Sequence, residues 1–376
     1  MTLGAGLAHV RGWRRPAALA AGLLAVGVAL ALPEPRPVAA PATPSAAGPT
    51  RLTDVWPGAK VSSIASTLRD GTSLHPMLAI DATTVVGIAT SPDLATSALV
   101  IRSGDGAIRT LHTLRDQQLS TVAAVAVAGD QVFWLELADD EFGNRTTSLW
   151  RAGLTSGAAR LLVTDTDDLL YYDSAYDLQV VDGKAVWAAA GTQGGGEIRS
   201  VPVDGGPVTV RKLDRLFALS AWPWVTSSAG SKPGDVELLN LTNGERRNVT
   251  AGPSEILTCT PVWCRVTTLV NQGQSLRFEL EHLDGSGRQK IGTSSMTPMN
   301  TDVALLDRFE VLASTTSSNA AGYAQQLWLR DLPTGRAVLA ADGVTATVGS
   351  RGAFVWWSTG DNETVTWHFL DLRQLT

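Results

Sequence analysis

The sequence holds no G-x-S-x-G, no H-E-x-x-H and no G-x-x-x-x-G-K-[ST]. Their absence removes the usual serine-hydrolase elbow, the helical zinc-peptidase site and the nucleotide phosphate cradle. Cysteine is scarce, with two residues in 376, and histidine numbers five, so no Cys/His set is dense enough for a structural zinc. Of 30 basic residues only five are lysine, the net charge is −6, and no basic stripe runs along the chain. That balance argues against nucleic acid as a partner. Helical periodicity is also rare. The one strong helical candidate is the apolar run 17–32.

What the chain has instead is a repeated phrase. Residues 180–206, VVDGKAVWAAAGTQGGGEIRSVPVDGG, read as successive β-strands joined by an Asp-Gly turn, a glycine-rich loop and an Asp-Gly-Gly turn. The strand Ala185 to Ala190 is apolar on both faces and therefore needs cover on both sides. Its phrase returns as GDQVFW (129–134) and RGAFVWW (351–357), with looser copies WPWV (222–225) and PVWC (261–264). The following strand returns as LVIRSGDG (99–106), LWRAGLTSG (149–157), VELLNLTNG (236–244), FELEHLDGSG (278–287), LWLRDLPTG (327–335) and WHFLDLRQ (367–374). Closing glycines lie between 38 residues apart (Gly206 to Gly244) and 51 apart (Gly106 to Gly157). A period of roughly 40–50 residues is that of a four-stranded propeller blade.

The predicted fold is all-β: a seven-bladed β-propeller of four-stranded antiparallel blades within residues 51–376. Each sheet covers its neighbour, which replaces the cover that helices would give. A β-sandwich of two stacked sheets is the competing architecture, and it does not account for the fixed strand order. The last repeat ends with its third strand at the C-terminus, while residues 56–61 (WPGAKV) resemble a turn and fourth strand. The N-terminal strand is therefore predicted to complete the last blade and to hide two open sheet edges.

Ahead of the repeats, Arg11, Arg14 and Arg15 precede the uncharged 16-residue run 17–32. A charged head followed by an apolar core predicts a secretory leader over 1–32, forming an apolar helix. An uncleaved membrane anchor is the alternative, although a spanning helix needs about 20 apolar residues. Residues 33–50 hold six prolines among Ala, Ser and Thr and read as an extended linker. The expected location is extracellular or in the cell envelope, with membrane contact only through an uncleaved N-terminal segment. In that compartment Cys259 and Cys264, flanking Thr-Pro-Val-Trp, are expected to form a disulfide.

Two constellations carry chemistry. The first is acidic and aromatic. Asp139, Asp140 and Glu141 fall in one predicted loop. Asp165, Asp167 and Asp168 fall in the next connection, with Tyr171, Tyr172 and Tyr176, three of the chain's four tyrosines. Aromatic rings beside carboxylates suit a sugar, a basic peptide or a bound cation. The bland reading is a solvated acidic loop whose tyrosines cap the interface between two sheets. The second consists of Asp177, Glu255 and Asp302, each about five residues before a predicted first hairpin, with His75 nearby. These carboxylates are predicted at the mouth of the central channel, where a ring of them makes either a Ca²⁺-type site or an ordinary water-filled channel. No other cofactor is expected, and no catalytic residue is assigned.

The phrases GKAVW (183–187), CTPVWCRV (259–266) and LWLRDLPTG (327–335) resemble those of exported actinobacterial TolB-like or WD40-like propeller proteins of unknown function. The resemblance spans roughly 55–376 and its motifs are structural, so no functional residue carries over. Propellers of the TolB type commonly have six blades, and the count of seven departs from that. The resemblance implies a binding or scaffolding role in the envelope. The expected function is a monomeric binding module for an envelope protein, peptide or glycan. A metal-dependent, lactonase-like hydrolase using the channel carboxylates is the alternative, and a passive spacer is a third reading.

Overall fold

The computed structural model describes residues 48–114, 120–164, 166–191, 194–227, 234–270, 275–293, 295–315, 325–361 and 364–376. The predicted leader and most of the predicted linker, together with Asp165, lie outside these residues. Residues 49–376 form one compact unit. Among the described residues the helical elements are α1 (Leu52–Val55) and a 3-10 turn at Leu372–Gln374. No helix there is long and apolar enough to cross a membrane.

Everything else is antiparallel sheet. The first sheet orders β2 (Ser73–Ala79), β3 (Val85–Thr90), β4 (Ser97–Arg102) and β5 (Ile108–Thr113). The second orders β6 (Ser120–Ala128), β7 (Gln131–Asp139), β8 (Arg145–Gly153) and β9 (Arg160–Val163). In the third, β10 (Asp168–Leu170) and β11 (Leu178–Val181) both pair with β12 (Lys184–Ala190), followed by β13 (Gly196–Pro202) and β14 (Thr209–Leu213). The fourth orders β15 (Ala218–Leu219), β16 (Trp224–Thr226), β17 (Val236–Asn240) and β18 (Arg246–Val249). The fifth orders β19 (Glu255–Cys259), β20 (Trp263–Val270), β21 (Ser275–His282) and β22 (Gln289–Lys290). Several four-stranded antiparallel sheets of this kind are consistent with a β-propeller.

The remaining strands make one seven-stranded sheet. It comprises β23 (Met296–Pro298), β24 (Phe309–Thr315), β25 (Gln325–Asp331), β26 (Arg336–Arg351), β27 (Phe354–Thr359), β28 (Thr366–Asp371) and the N-terminal β1 (Val61–Ala65). β26 serves two neighbours. Its residues 336–344 pair with β25, and after a break in register its residues 348–351 pair with β27. β1 pairs with β28 over five residues, from Val61↔Leu370 to Ala65↔Thr366. The expected turn lies at 56–59, where the Ala59 amide donates to the Trp56 carbonyl at 3.0 Å, and the strand follows from Val61; Trp56 itself is buried and packs edge-on against Phe309.

The alternation of side chains explains why these strands read as apolar on both faces. On β12, Ala185 and Trp187 pack toward the second sheet, while Val186 and Ala188 pack toward the fourth. On β7, Phe133 and Leu135 face the third sheet, and Val132 and Trp134 face the first. On β27, Val355 and Trp357 pack with β24 and β25, and Phe354 and Trp356 pack with the first sheet. The fourth and fifth sheets share Trp224, Leu238, Leu257 and Val266. Leu280 and Ile291 of the fifth meet Leu312 of β24. A period of two with both phases apolar is what a sheet covered on both sides requires.

Cys259 and Cys264 face each other at the end of the β19–β20 hairpin and are disulfide-bonded, with Cα atoms 4.1 Å apart. Closing so short a loop contributes only about 2 kcal/mol by chain entropy. Replacing both cysteines by alanine is therefore expected to lower stability by about that amount without unfolding the protein, as urea denaturation would measure.

Candidate functional site

The site is built from an interruption in the third sheet. Leu170 of β10 faces Ala188 of β12, and Leu178 of β11 faces Trp187, the very next position. Residues 171–177 (YYDSAYD) are thus looped out of a single strand position. A loop leaving a sheet must satisfy its backbone elsewhere. Here the Tyr172 and Ser174 amides both donate to Asp177 Oδ2, each at 2.9 Å, which folds the insertion on itself. Its tip reaches the segment after β23. Ser174 Oγ donates to Asp302 Oδ1 at 2.6 Å, the Ala175 amide donates to Asp302 Oδ2 at 3.0 Å, and Thr301 Oγ1 donates to the Tyr172 carbonyl at 3.1 Å. Two whole sheets separate these segments in the chain.

A cavity of about 320 Å³ opens on one side of the insertion, lined by Tyr172, Tyr176, Ser220, Thr258, Thr301 and Asp302 among others. A second, of about 280 Å³, is lined by Asp173 with His75, Asn300, Thr301 and Arg351. Burial dominates the electrostatics. It pushes the Asp177 carboxyl up to about 6, although two amide donors and the nearby Arg351 guanidinium oppose it. It raises Asp302 as well, against its hydrogen bonds from Ser174 and Ala175. The Tyr176 phenol rises to about 12, through burial first and then the Asp302 and Asp307 carboxylates. His75 is lowered by burial, which the Asp173 charge partly offsets. The Arg351 guanidinium donates to the Val125 carbonyl at 2.7 Å.

The sequence-predicted residues separate into those this centre gathers and those it leaves out. Tyr172, Tyr176, Asp177 and Asp302 come together. Asp302 arrives by a different route from the one predicted. The innermost strand of its sheet is β23, and residues 302–308 are a turn in which Ala304, Leu306 and Asp307 have positive φ. Glu255 begins β19 as predicted, but its side chain turns to Arg288 at 2.6 Å, beside Glu279 and Glu281. It does not join the other two carboxylates, because a strand's first side chain can point across the sheet as readily as toward the axis. Among the described residues no group of three or more His, Cys, Asp or Glu side chains is arranged to hold a metal ion.

The outer acidic residues have local partners. Asp139 pairs with Arg145 at 2.8 Å. Asp140 accepts the Phe142 and Asn144 amides at 2.8 Å and so shapes its own loop. Asp167 pairs with Arg199, which also holds Glu197. Glu141, Asp168 and Tyr171 are exposed. Arginine partners thus offset two of these charges, those of Asp139 and Asp167.

Four residues at the centre escaped the sequence reading. Ser174 is the insertion's anchor. Ser220 is 2% exposed and lines the Tyr172–Tyr176 cavity, and its buried Oγ has no hydrogen-bond partner among the described residues. Arg265 of β20 and the fully buried Glu310 of β24 pair at 2.8 Å, and Arg265 also donates to the Asn300 and Asp302 carbonyls. This pair stiffens the segment that receives the insertion. Ser174 alone carried a signal, since a small hydroxyl residue between tyrosines suits a tight turn.

No protein-family model matches the chain, and no curated protein matches it. Solved structures similar to it include the β-propeller domain of the Trilobed protease from Pyrococcus furiosus, at 9% identity over 67% of this chain and 81% of that one, TM-score 0.45. The acylaminoacyl peptidase of Pyrococcus horikoshii is similar at 8% identity over 64% of this chain and 43% of that one, TM-score 0.42. TolB from Acinetobacter baumannii is similar at 10% identity over 77% of this chain and 63% of that one, TM-score 0.33. None of these likenesses assigns an activity.

Proposed function

We propose that the chain is an exported, seven-bladed β-propeller closed by β1, and that it works as a binding module whose protein, peptide or glycan ligand enters the cavity beside the tyrosine insertion. Splitting β26 into two strands and adding β1 to β28 makes seven sets of four. Seven buried clusters, one between each successive pair, support a continuous ring. The disulfide suits an oxidising compartment, and the N-terminal apolar run supplies a route to it.

The observation that carries the binding reading is the insertion itself. A strand is broken to bring Tyr172 and Tyr176 against a cavity that Thr258, Thr301 and Asp302 also line. A cavity of this size with few convergent polar groups is a small-ligand or ligand-end site. The hydrolase alternative asked for three carboxylates at one mouth, and Glu255 stays with Arg288. The test is a glycan and peptide array read with the intact protein. Tyr172→Ala is expected to weaken the retained ligand by about tenfold or more, as loss of a buried aromatic anchor does, while Asp140→Ala leaves it unchanged. Equal binding by the Tyr172→Ala protein, with its melting temperature preserved, would remove the cavity from the function.

A further inference from the structure

The insertion at 171–177 stands between two cavities. Tyr172, Ser174 and Tyr176 line the one of about 320 Å³, Asp173 lines the one of about 280 Å³, and Thr301, which donates to the Tyr172 carbonyl, lines both. The insertion and the 300–302 segment thus form the wall that keeps the cavities apart. That wall is held by polar contacts. Of the seven inserted residues the buried ones are Ser174 and Asp177, and Tyr176 packs in part against the apolar cluster of the third and fourth sheets. A segment that buries so little apolar surface can open while the rest of the domain stays folded. Its fastenings are two carboxylates. Asp177 Oδ2 accepts the Tyr172 and Ser174 amides, Asp302 accepts the Ser174 hydroxyl and the Ala175 amide, and Ser174 Oγ accepts the Tyr176 amide at 3.1 Å. Lifting the insertion breaks these bonds and gives both carboxylates to water.

Beneath the insertion, buried carboxylates outnumber buried cations. Asp177, Asp302 and Glu310 face two guanidiniums, Arg265 and Arg351, and all five are buried. Arg265 pairs with Glu310, while Arg351 faces Asp177, Asp302 and Asp173 together. With every group ionised, one buried negative charge has no cation to itself, and taking such a charge out of water is costly. The amide and hydroxyl donors and Arg351 favour the charged carboxylates. Burial outweighs them at both, raising Asp302 and bringing Asp177 to about 6. The other titratable neighbours are few. The Tyr172 and Tyr176 phenols are both raised, Tyr176 with Asp307 beside it, and stay protonated at neutral pH. His75 of β2 faces Asp173 across the second cavity and is held below its ordinary value, so its titration pulls the opposite way.

We propose that residues 171–177 are a strap worked by a proton: with one proton on the Asp177–Asp302 pair the strap lies down and separates the two cavities, and with that proton lost it lifts more often and joins them. As regulation of ligand entry this rests on the cavity being the binding site. The movement itself is measured with no ligand present, so either idea can fail alone.

Amide hydrogen exchange of the full chain, read by mass spectrometry on peptides covering 171–177, tests it at pH 4.5, 6 and 7.5. Each rate is divided by that of an unstructured peptide at the same pH. The strap is expected to be less protected than β7 and β12 throughout, and its protection to fall about tenfold or more from pH 4.5 to 7.5. In the lifted strap Asp177 titrates at its ordinary 3.8 and in the held strap at about 6, so between these values the held form keeps a proton that the lifted form has released. Asp177→Asn keeps the acceptor oxygen without the charge and is expected to cut that fall severalfold. Ser174→Ala removes the hydroxyl between Asp302 and the Tyr176 amide and is expected to lower strap protection at every pH, with β12 still the better protected. His75→Gln is expected to leave the fall in place or steepen it. Strap protection equal to that of β12 would mean that the segment opens only with the whole protein, and the strap is overturned. It is overturned equally if protection is level or rises with pH, if the fall survives Asp177→Asn undiminished, or if it vanishes in His75→Gln.

Discussion

Removing residues 51–66 is expected to lower the melting temperature by on the order of 10 °C or more, whereas removing 33–48 should leave it unchanged. The segment does three things at once. Arg51 bridges to Leu339 in parallel, fixing the start of the segment on β26. Leu52 and Trp56, each 5% exposed, then pack with Phe309, Val338 and Leu370. β1 next completes the edge of β28, and Ile64 enters the cluster that joins β27 and β28 to the first sheet. Burying three large apolar side chains is worth about 1.5–3 kcal/mol each. That sum alone approaches the 5–15 kcal/mol net stability of ordinary domains.

The deletion also exposes a sheet edge. β28 loses the strand that covers its outer edge, so the shortened protein is expected to aggregate as well as to melt early. A synthetic peptide of residues 51–66 added in trans should raise the melting temperature with peptide concentration, since it binds only the folded form. Equal melting temperatures for intact and shortened protein would show that the N-terminal strand adds nothing to the stability of the sheets it joins. The Pro-rich stretch 33–48 offers no apolar side chain of comparable size in number, which is why its loss serves as the control.

The strands were legible because both of their faces meet another sheet. GDQVFW, DGKAVW and GAFVWW fall on β7, β12 and β27, and each phrase divides its alternate residues between two apolar clusters. The Asp182-Gly183 turn was legible for a local reason, since both residues take positive φ, 49° and 72°. The site was much less legible. Nothing in YYDSAYD says that Leu170 and Leu178 will occupy adjacent positions opposite β12, because that is fixed by pairing with a strand still to come. Counting back from hairpins found Asp177 and Glu255 at their strand starts but gave no direction for their side chains. It misplaced Asp302, because the apolar run 303–306 resembles a strand while its backbone turns. Of the arginines that pair with Asp139 and Asp167, Arg145 is a cross-strand neighbour and Arg199 lies on β13, so their effect appears only once the sheets are formed.

Asp177→Asn is expected to make the protein more stable at pH 7.5, by about 1–3 kcal/mol, and no different near pH 4. The carboxyl has its ordinary value of 3.8 in the unfolded chain and about 6 in the folded protein, because burial outweighs its two amide donors and the pull of Arg351. Between these values the folded form binds a proton that the unfolded form has released. Unfolding free energy therefore falls as pH rises from about 4 to about 6, and above that the full cost of a buried charge remains. Asp302 and Glu310, also raised by burial, act in the same direction and will leave part of the slope in the variant. Asparagine preserves the fold of the insertion, since both the Tyr172 and Ser174 amides reach a single oxygen, Oδ2, which the amide oxygen replaces. Urea midpoints at pH 4, 5, 6 and 7.5 for both proteins give the comparison. A variant less stable than the parent at pH 7.5 would mean that the Asp177 charge is needed by Arg351 more than burial penalises it. In that case the centre is an ion-paired core.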